Sequence, residues 1–208
     1  YLGLLKSVLG YVDTEHYTYG ELFNEINANT GGINCGVEVF DRADSTEEFQ
    51  AMFSVRGKAL YTKMDFLFKM IGEILNSSKL EDTKRLYEIV ASVKSRAQVN
   101  LTGAGHSTAV LRAAAYSSPM AAFQDEMAGI GYYQFIEKLE KDFEQRKEET
   151  VEELCKLMKK ILRPENFMIS YTGERESLET VQKLAGTVKA GLGTEPVEKS
   201  KEKLTCTK

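Results

Sequence analysis

The sequence predicts an α+β fold, helices packed on one face of a mostly antiparallel sheet, and three features predict it. A helix-period stripe opens the chain and passes, through the turn Thr30-Gly31-Gly32-Ile33, into a stretch with strand period. A second strand-period stretch follows at residues 49–55. Most of the remaining chain then repeats apolar residues at three- and four-residue intervals, the spacing of core-facing helices. Helices that come in a block after a strand pair cover one side of a sheet.

In the opening helix Tyr1, Leu4, Leu5, Val8, Leu9 and Val12 recur on one face. Residues 10–17 form a polar connector, after which Thr18 with Glu21 three residues on has the spacing of a capping box, predicting a short helix to Asn27. Adjacent Gly31 and Gly32 permit positive φ and turn the chain. Ile33, Cys35, Val37 and Val39 then alternate as a half-buried strand ending near Phe40. Residues 41–48 read as a charged hairpin connection, and Phe49, Ala51, Phe53 and Val55 alternate along the antiparallel partner.

Met64, Leu67, Phe68, Ile71 and Leu75 stripe a helix over residues 63–75, and Leu86, Ile89, Val90 and Val93 another over 81–101. The segment TGAGHS at 102–107 interrupts the pattern, small residues resume it to Ser117, and Pro119 opens a further run broken at Gly129-Ile130-Gly131. From 140 to 162 a charged helix turns Phe143, Val151, Leu154, Leu157, Met158 and Ile161 inward, and Arg163-Pro164 stops it. Residues 167–172 (FMISYT) are short, apolar and β-prone, predicting a central strand, and 176–190 a last helix. Residues 1–192 therefore read as one domain; 193–208 lose all periodicity and read as a linker or disordered tail.

At 208 residues the chain is long enough for one sizeable core. Its 27 basic and 31 acidic residues, net −4, are interspersed, which argues against nucleic acid as a partner. No stretch reaches the roughly 18 to 20 apolar residues of a membrane span, so no membrane partner is expected. Cys35, Cys155 and Cys206 are odd in number and far apart, and make neither a disulfide framework nor a CxxC pair. A reducing compartment follows. The chain begins on Tyr1, inside a helical pattern and without a cap, and so reads as a section of a larger protein.

Chemistry is hard to find. A zinc helix needs two His four apart on one face with a Glu beside them, whereas His16 and His106 stand alone, as turn and loop residues. Gly103-Ala104-Gly105 lacks the Lys-Ser/Thr of a phosphate loop, and no GxSxG is present. The acidic run Glu148, Glu149, Glu152, Glu153 lies among lysines with partners such as Lys156 four residues from Glu152, a solvated face. Tyr132, Tyr133 and Phe135 fall at helical spacing and read as core. No catalytic residue and no metal ligand is assigned.

Four segments in order, Thr30-Gly31-Gly32-Ile33, Val55-Arg56-Gly57-Lys58-Ala59, Gly103-Ala104-Gly105-His106 and Gly129-Ile130-Gly131-Tyr132-Tyr133-Gln134-Phe135, together resemble the pitrilysin/insulinase zinc metallopeptidases, most closely the presequence-protease branch. The resemblance runs from Tyr1 to about Leu192. It implies a two-layer, metallohydrolase-like domain, the third of four homologous domains whose two halves close around a peptide chamber. Only the first such domain carries the zinc helix, HxxEH. Aligning the family's SVLxG on Ser7-Val8-Leu9-Gly10 sets Leu2, Leu5 and Lys6 where His, Glu and His would stand, so no cofactor is expected in this chain and zinc is expected in the parent's catalytic domain.

The resemblance further implies that the sheet's first two strands precede Tyr1, that the partners are the other domains of the same peptidase and unfolded peptides, and that the compartment is a bacterial cytoplasm or, alternatively, a mitochondrial or plastid matrix. By analogy with the catalytic copy, Thr30, Gly31, Gly32, Ile33 and Asn34 face the peptide chamber; the same glycines equally serve merely to set a turn. Two other readings stay open, a stand-alone interaction or dimerisation module and a peptidase active through an unrecognised site.

Overall fold

The computed structural model of the chain describes residues 1–43, 45–197 and 205–207. Helix α1 (Leu2–Val8) and α2 (Tyr19–Asn29) lead into a long hairpin of β1 (Ile33–Arg42) and β2 (Ser45–Gly57), and seven helices follow: α3 (Met64–Ser77), α4 (Thr83–Gly103), α5 (Gly105–Ala114), α6 (Pro119–Ala128), α7 (Ile130–Lys141), α8 (Phe143–Ile161) and α9 (Leu178–Ala190). The α+β class holds, with an antiparallel sheet of two strands among the described residues.

The hairpin's register shows why its alternation was readable. Ile33 pairs with Gly57, Cys35 with Val55, Val37 with Phe53 and Val39 with Ala51, so these apolar residues fall on one side, while Phe40 and Met52 lie on the other. Ile33, Cys35, Phe53 and Val55 pack against the core, which α1 and α6 bring to that side. Phe49 extends the contact by meeting Phe123 of α6 with ring centroids 5.5 Å apart. The other side carries Asn34, Glu38, Gln50 and Arg56, with Glu38 and Arg56 ion-paired. One dry side and one wet side fix the register, because a one-residue slip would exchange them.

Behind the hairpin the core gathers Leu4, Leu5, Val8, Leu9 and Val12 with Met70, Ile74, Leu86, Val90, Ile136, Leu139, Phe143 and Leu154. Leu86, Ile89, Val90 and Val93 of α4 are all buried, against α7, α8 and α1. On α3 the predicted stripe is shifted: Met64, Leu67 and Leu75 are buried, Met70 and Ile74 join them, and Phe68 and Ile71 pack at the margin. The capping box of α2 forms as predicted, Glu21 N–H donating to Thr18 Oγ1 at 3.3 Å while Thr18 N–H donates to the Glu21 carboxylate at 2.9 Å.

The opening helix ends at Val8, ahead of the connector, since Gly10 at φ +87 redirects the chain, and Leu9 and Val12 of the predicted stripe stay buried beyond it. The connector of residues 10–17 is clamped: Thr14 bridges Ser78, and Lys79 N–H donates to the Asp13 carbonyl at 2.8 Å. One expectation is corrected: residues 167–172, expected as a central strand, pair with no backbone among the described residues; β propensity makes a segment suited to a sheet, but a strand forms only beside another backbone. The break at 102–107 is a kink at Ala104 between α4 and α5, and Gly129 divides α6 from α7. Part of the expected tail, residues 198–204 and 208, lies outside the described residues; before it, Leu192 is buried. No helix among the described residues is long and apolar enough to cross a membrane.

Candidate functional site

Helix α1 is where a metal would be held if this domain held one. Leu5 is wholly buried in the core and Leu2 half-buried. Lys6 Nζ donates to the Met127 carbonyl at 3.2 Å and lies 5.9 Å from the centroid of the Tyr132 ring. Burial holds the Lys6 pKa below its ordinary value, yet nothing on α1 offers the imidazole, thiolate or carboxylate lone pairs that zinc takes. The residues do not fit the ion. Among the described residues no group of three or more His, Cys, Asp and Glu gathers elsewhere.

The two histidines are on separate elements. His16, on the connector, sets its Nδ1 3.0 Å from Glu73 Oε2 of α3, and its backbone N–H donates to Glu73 Oε1 at 3.1 Å. Burial pushes Glu73 upward, but hydrogen bonds from Thr14 and His16 outweigh it and keep the carboxyl below the usual range. His106 stands exposed in the first turn of α5.

On α8 two members of the acidic run, Glu149 and Glu153, are ion-paired along a solvated face. Arg146 grips Glu149 through Nη2–Oε1 at 2.8 Å and Nε–Oε2 at 2.9 Å, and the Tyr1 hydroxyl donates to Glu149 Oε1 at 2.8 Å. Together they hold the Glu149 carboxyl down to about 2. Lys156 meets Glu153, at 3.0 Å and three residues away, rather than the expected Glu152. Tyr132 is core, its hydroxyl donating to the Gly3 carbonyl at 2.8 Å; Phe135 stacks edge-on to Tyr1, and Tyr133 reaches the surface to donate to Glu137. A polar groove of about 540 Å³ along α4 and α7 is lined by Lys94, Gln134, Glu137 and Glu140, with Lys94 and Glu140 ion-paired at 3.1 Å.

One buried charge went unread in the sequence. Asp125, near the end of α6 and with no exposure, accepts the backbone N–H groups of Ile130 and Gly131, each at 3.0 Å, and the Arg112 guanidinium at 2.7 Å. Its carboxylate caps the positive end of α7 and ties α5 to the α6–α7 elbow. The signal was available, an acid four residues ahead of Gly-Ile-Gly at a helix start. It marks architecture, not catalysis.

Thr30, Gly31, Gly32, Ile33 and Asn34 are contiguous and form the joint between α2 and β1. Thr30 Oγ1 donates to the Ile26 carbonyl at 2.7 Å, closing α2, and accepts from Gly32 N–H at 3.0 Å. Gly31 N–H donates to the Lys58 carbonyl at 2.7 Å, extending the hairpin's pairing by a step. Gly32 adopts φ +104, a region that a side chain would strain. Gly31 and Asn34 are exposed at this joint. The amides of Thr30, Gly31 and Gly32 are all bonded within the chain, the first to the Ile26 carbonyl at 2.9 Å.

Comparison with known proteins accords with that geometry. Residues 1–139 match the family model described as peptidase M-16C associated. Protein HypA of Clostridium perfringens is 32% identical over 179 residues, covering 86% of this chain and 18% of that protein. The mitochondrial presequence protease of Yarrowia lipolytica is 30% identical over 146 residues, covering 70% of this chain and 15% of that protein. Presequence protease 1 of Arabidopsis thaliana, chloroplastic/mitochondrial, is 25% identical over 170 residues, 82% of this chain and 16% of that protein. The chain thus spans less than a fifth of the length of these relatives.

Proposed function

Because the chain belongs to the peptidase M-16C associated family, we propose that it is a non-catalytic domain of a zinc-dependent, presequence-protease-like metalloendopeptidase. The observation that carries this reading is the family match across residues 1–139, which includes the whole of α1, where Leu2, Leu5 and Lys6 offer zinc nothing. Zinc and the reacting groups then belong to another domain of the parent protein, and this domain helps to wall the chamber in which unfolded peptides are held.

In that role the joint of Thr30, Gly31, Gly32, Ile33 and Asn34 faces the peptide. What supports it is the exposure of Gly31 and Asn34 and the pairing of β1 with β2 alone among the described residues, which leaves β1 an outer edge for an extended main chain. A closed chamber admits only chains flexible enough to enter, so folded proteins are spared. The partners are the remaining domains and unfolded peptides. The compartment is a bacterial cytoplasm, with a mitochondrial or plastid matrix as the alternative that the plant and yeast relatives' names bring in.

The test is cleavage of a fluorogenic unstructured peptide by this chain alone and by the natural polypeptide that carries it. The expected result is chelator-sensitive turnover by the longer protein and none by the chain. Turnover by the chain alone, abolished by a chelator, overturns the assignment. A stable, discrete dimer of the chain with no peptidase parent would favour a dimerisation module instead.

A further inference from the structure

From Lys94 to Ala114, the outer half of α4 and the whole of α5, no residue is buried. This stretch is an arm: a helix runs out past Val93, bends at Ala104 (φ −126, ψ 38) and rejoins the body at Ala115, which has no exposure. Within it, the 15 residues from Ala97 to Leu111 carry no Asp, Glu, Lys or Arg, in a chain that is 28% charged. A solvated helical stretch of that length would ordinarily carry about four charges, so the arm lacks what suits a helix face to water. Two apolar side chains stand out from it, Val99 at 66% and Val110 at 70% exposure. Gly103 and Gly105 flank the bend, yet neither takes positive φ, and a Cβ on either would meet no atom within 4 Å. Glycine weakens a helix, and the domain's own packing gives no reason for it here. Bare backbone at an exposed tip serves the close approach of something else.

We propose that residues 97–111 are a docking surface for a charge-poor helix of the same polypeptide, lying outside this sequence. The occupant is a helix because the arm's main chain is already satisfied across the bend, Ala104 N–H donating to the Asn100 carbonyl at 2.9 Å and Thr108 N–H to the Ala104 carbonyl at 3.1 Å. A strand finds no edge to pair with there, whereas the small side chains of Ala97, Gly103, Gly105 and Ala109 let a second helix axis come close. The occupant is charge-poor because an ion laid on this surface would lose its water and gain no counter-charge. Two observations choose the source. The relatives are more than five times as long as the matched stretch, so covalently linked chain is available. An arm of 15 residues also falls short of the roughly 20 to 30 a side through which separate chains associate, a shortfall that a covalent tether offsets. The inference rests on the chain's belonging to a longer protein and not on that protein's being a peptidase.

Alkylation by iodoacetamide of Val99→Cys and Val110→Cys variants of the natural polypeptide that carries this chain tests it, with mass spectrometry of the peptides separating the new thiols from Cys35, Cys155 and Cys206. The expected result is labelling roughly tenfold slower or more in the native protein than after unfolding in urea. Rates that agree within about threefold overturn the proposal. Val110→Lys supplies a second reading, since its side chain is exposed in this chain and covered in the proposed assembly. It is expected to lower the melting temperature of the longer polypeptide while leaving that of this chain unmoved, and an unmoved longer polypeptide overturns the proposal. A photo-crosslinker at position 110 identifies the occupant: attachment within the same polypeptide at sites three and four residues apart is expected of a helix. Attachment to a second copy, or at the alternate residues of a strand, overturns it. None of these readings depends on peptide cleavage, so they stand or fall apart from the peptidase assignment.

Discussion

Asp125 shows how much a single side chain fixes in this domain. A fully buried carboxylate is tolerated because two backbone amides and Arg112 satisfy it, and the same bonds set the angle at which α7 leaves α6. Asp125→Ala is expected to destabilise by about 2–4 kcal/mol in urea unfolding, since it strands both amides and the guanidinium; a loss under about 0.5 kcal/mol would contradict that role. Glu149 supplies a pH test. Its folded-state carboxyl sits at about 2, below its ordinary 4.5, so whatever stability it contributes is present above 4.5 and lost as pH falls toward about 2. By NMR, Arg146→Gln is expected to move the Glu149 midpoint up toward 4.5, and an unmoved midpoint would remove Arg146 as the cause. Neither network was read in full from the sequence: Arg146 and Glu149 stand three apart on α8 and Asp125 four ahead of Gly129, but the contacts from Tyr1 and Arg112 depend on helices brought together by packing. The pattern that excluded a metal on α1, by contrast, needed only residue identities.

Elements were legible where the period was long and the boundary chemically marked. The capping box gave α2 its start, and the apolar stripes gave α3, α4 and α8 their inner faces. Thr18→Ala is expected to cost about 1 kcal/mol and to fray the first turn of α2 in amide exchange, while an unchanged first turn would deny the cap its role. Legibility failed in two ways. Apolar residues can stay buried after a helix has ended, as Leu9 and Val12 do, so periodicity overran α1. And strand propensity in residues 167–172 says nothing of whether a neighbouring backbone is present, which is a property of the surroundings. The joint of Thr30 to Asn34 was readable as a turn from its glycines, but the Gly31–Lys58 pairing that pins it required the hairpin's register.

For the whole molecule, the same helix that could have been a catalytic element is instead the centre of the core, with Leu4, Leu5 and Val8 sealed between the hairpin and the helices behind it. Leu5→Ala is expected to lower stability by about 2–5 kcal/mol through the cavity it leaves, with no effect on any metal content. The most direct measurement is the zinc content of the purified chain after equilibration with zinc and removal of the free ion. The account predicts far less than one ion per chain. About one zinc per chain, retained with the high affinity of a built site, would contradict it.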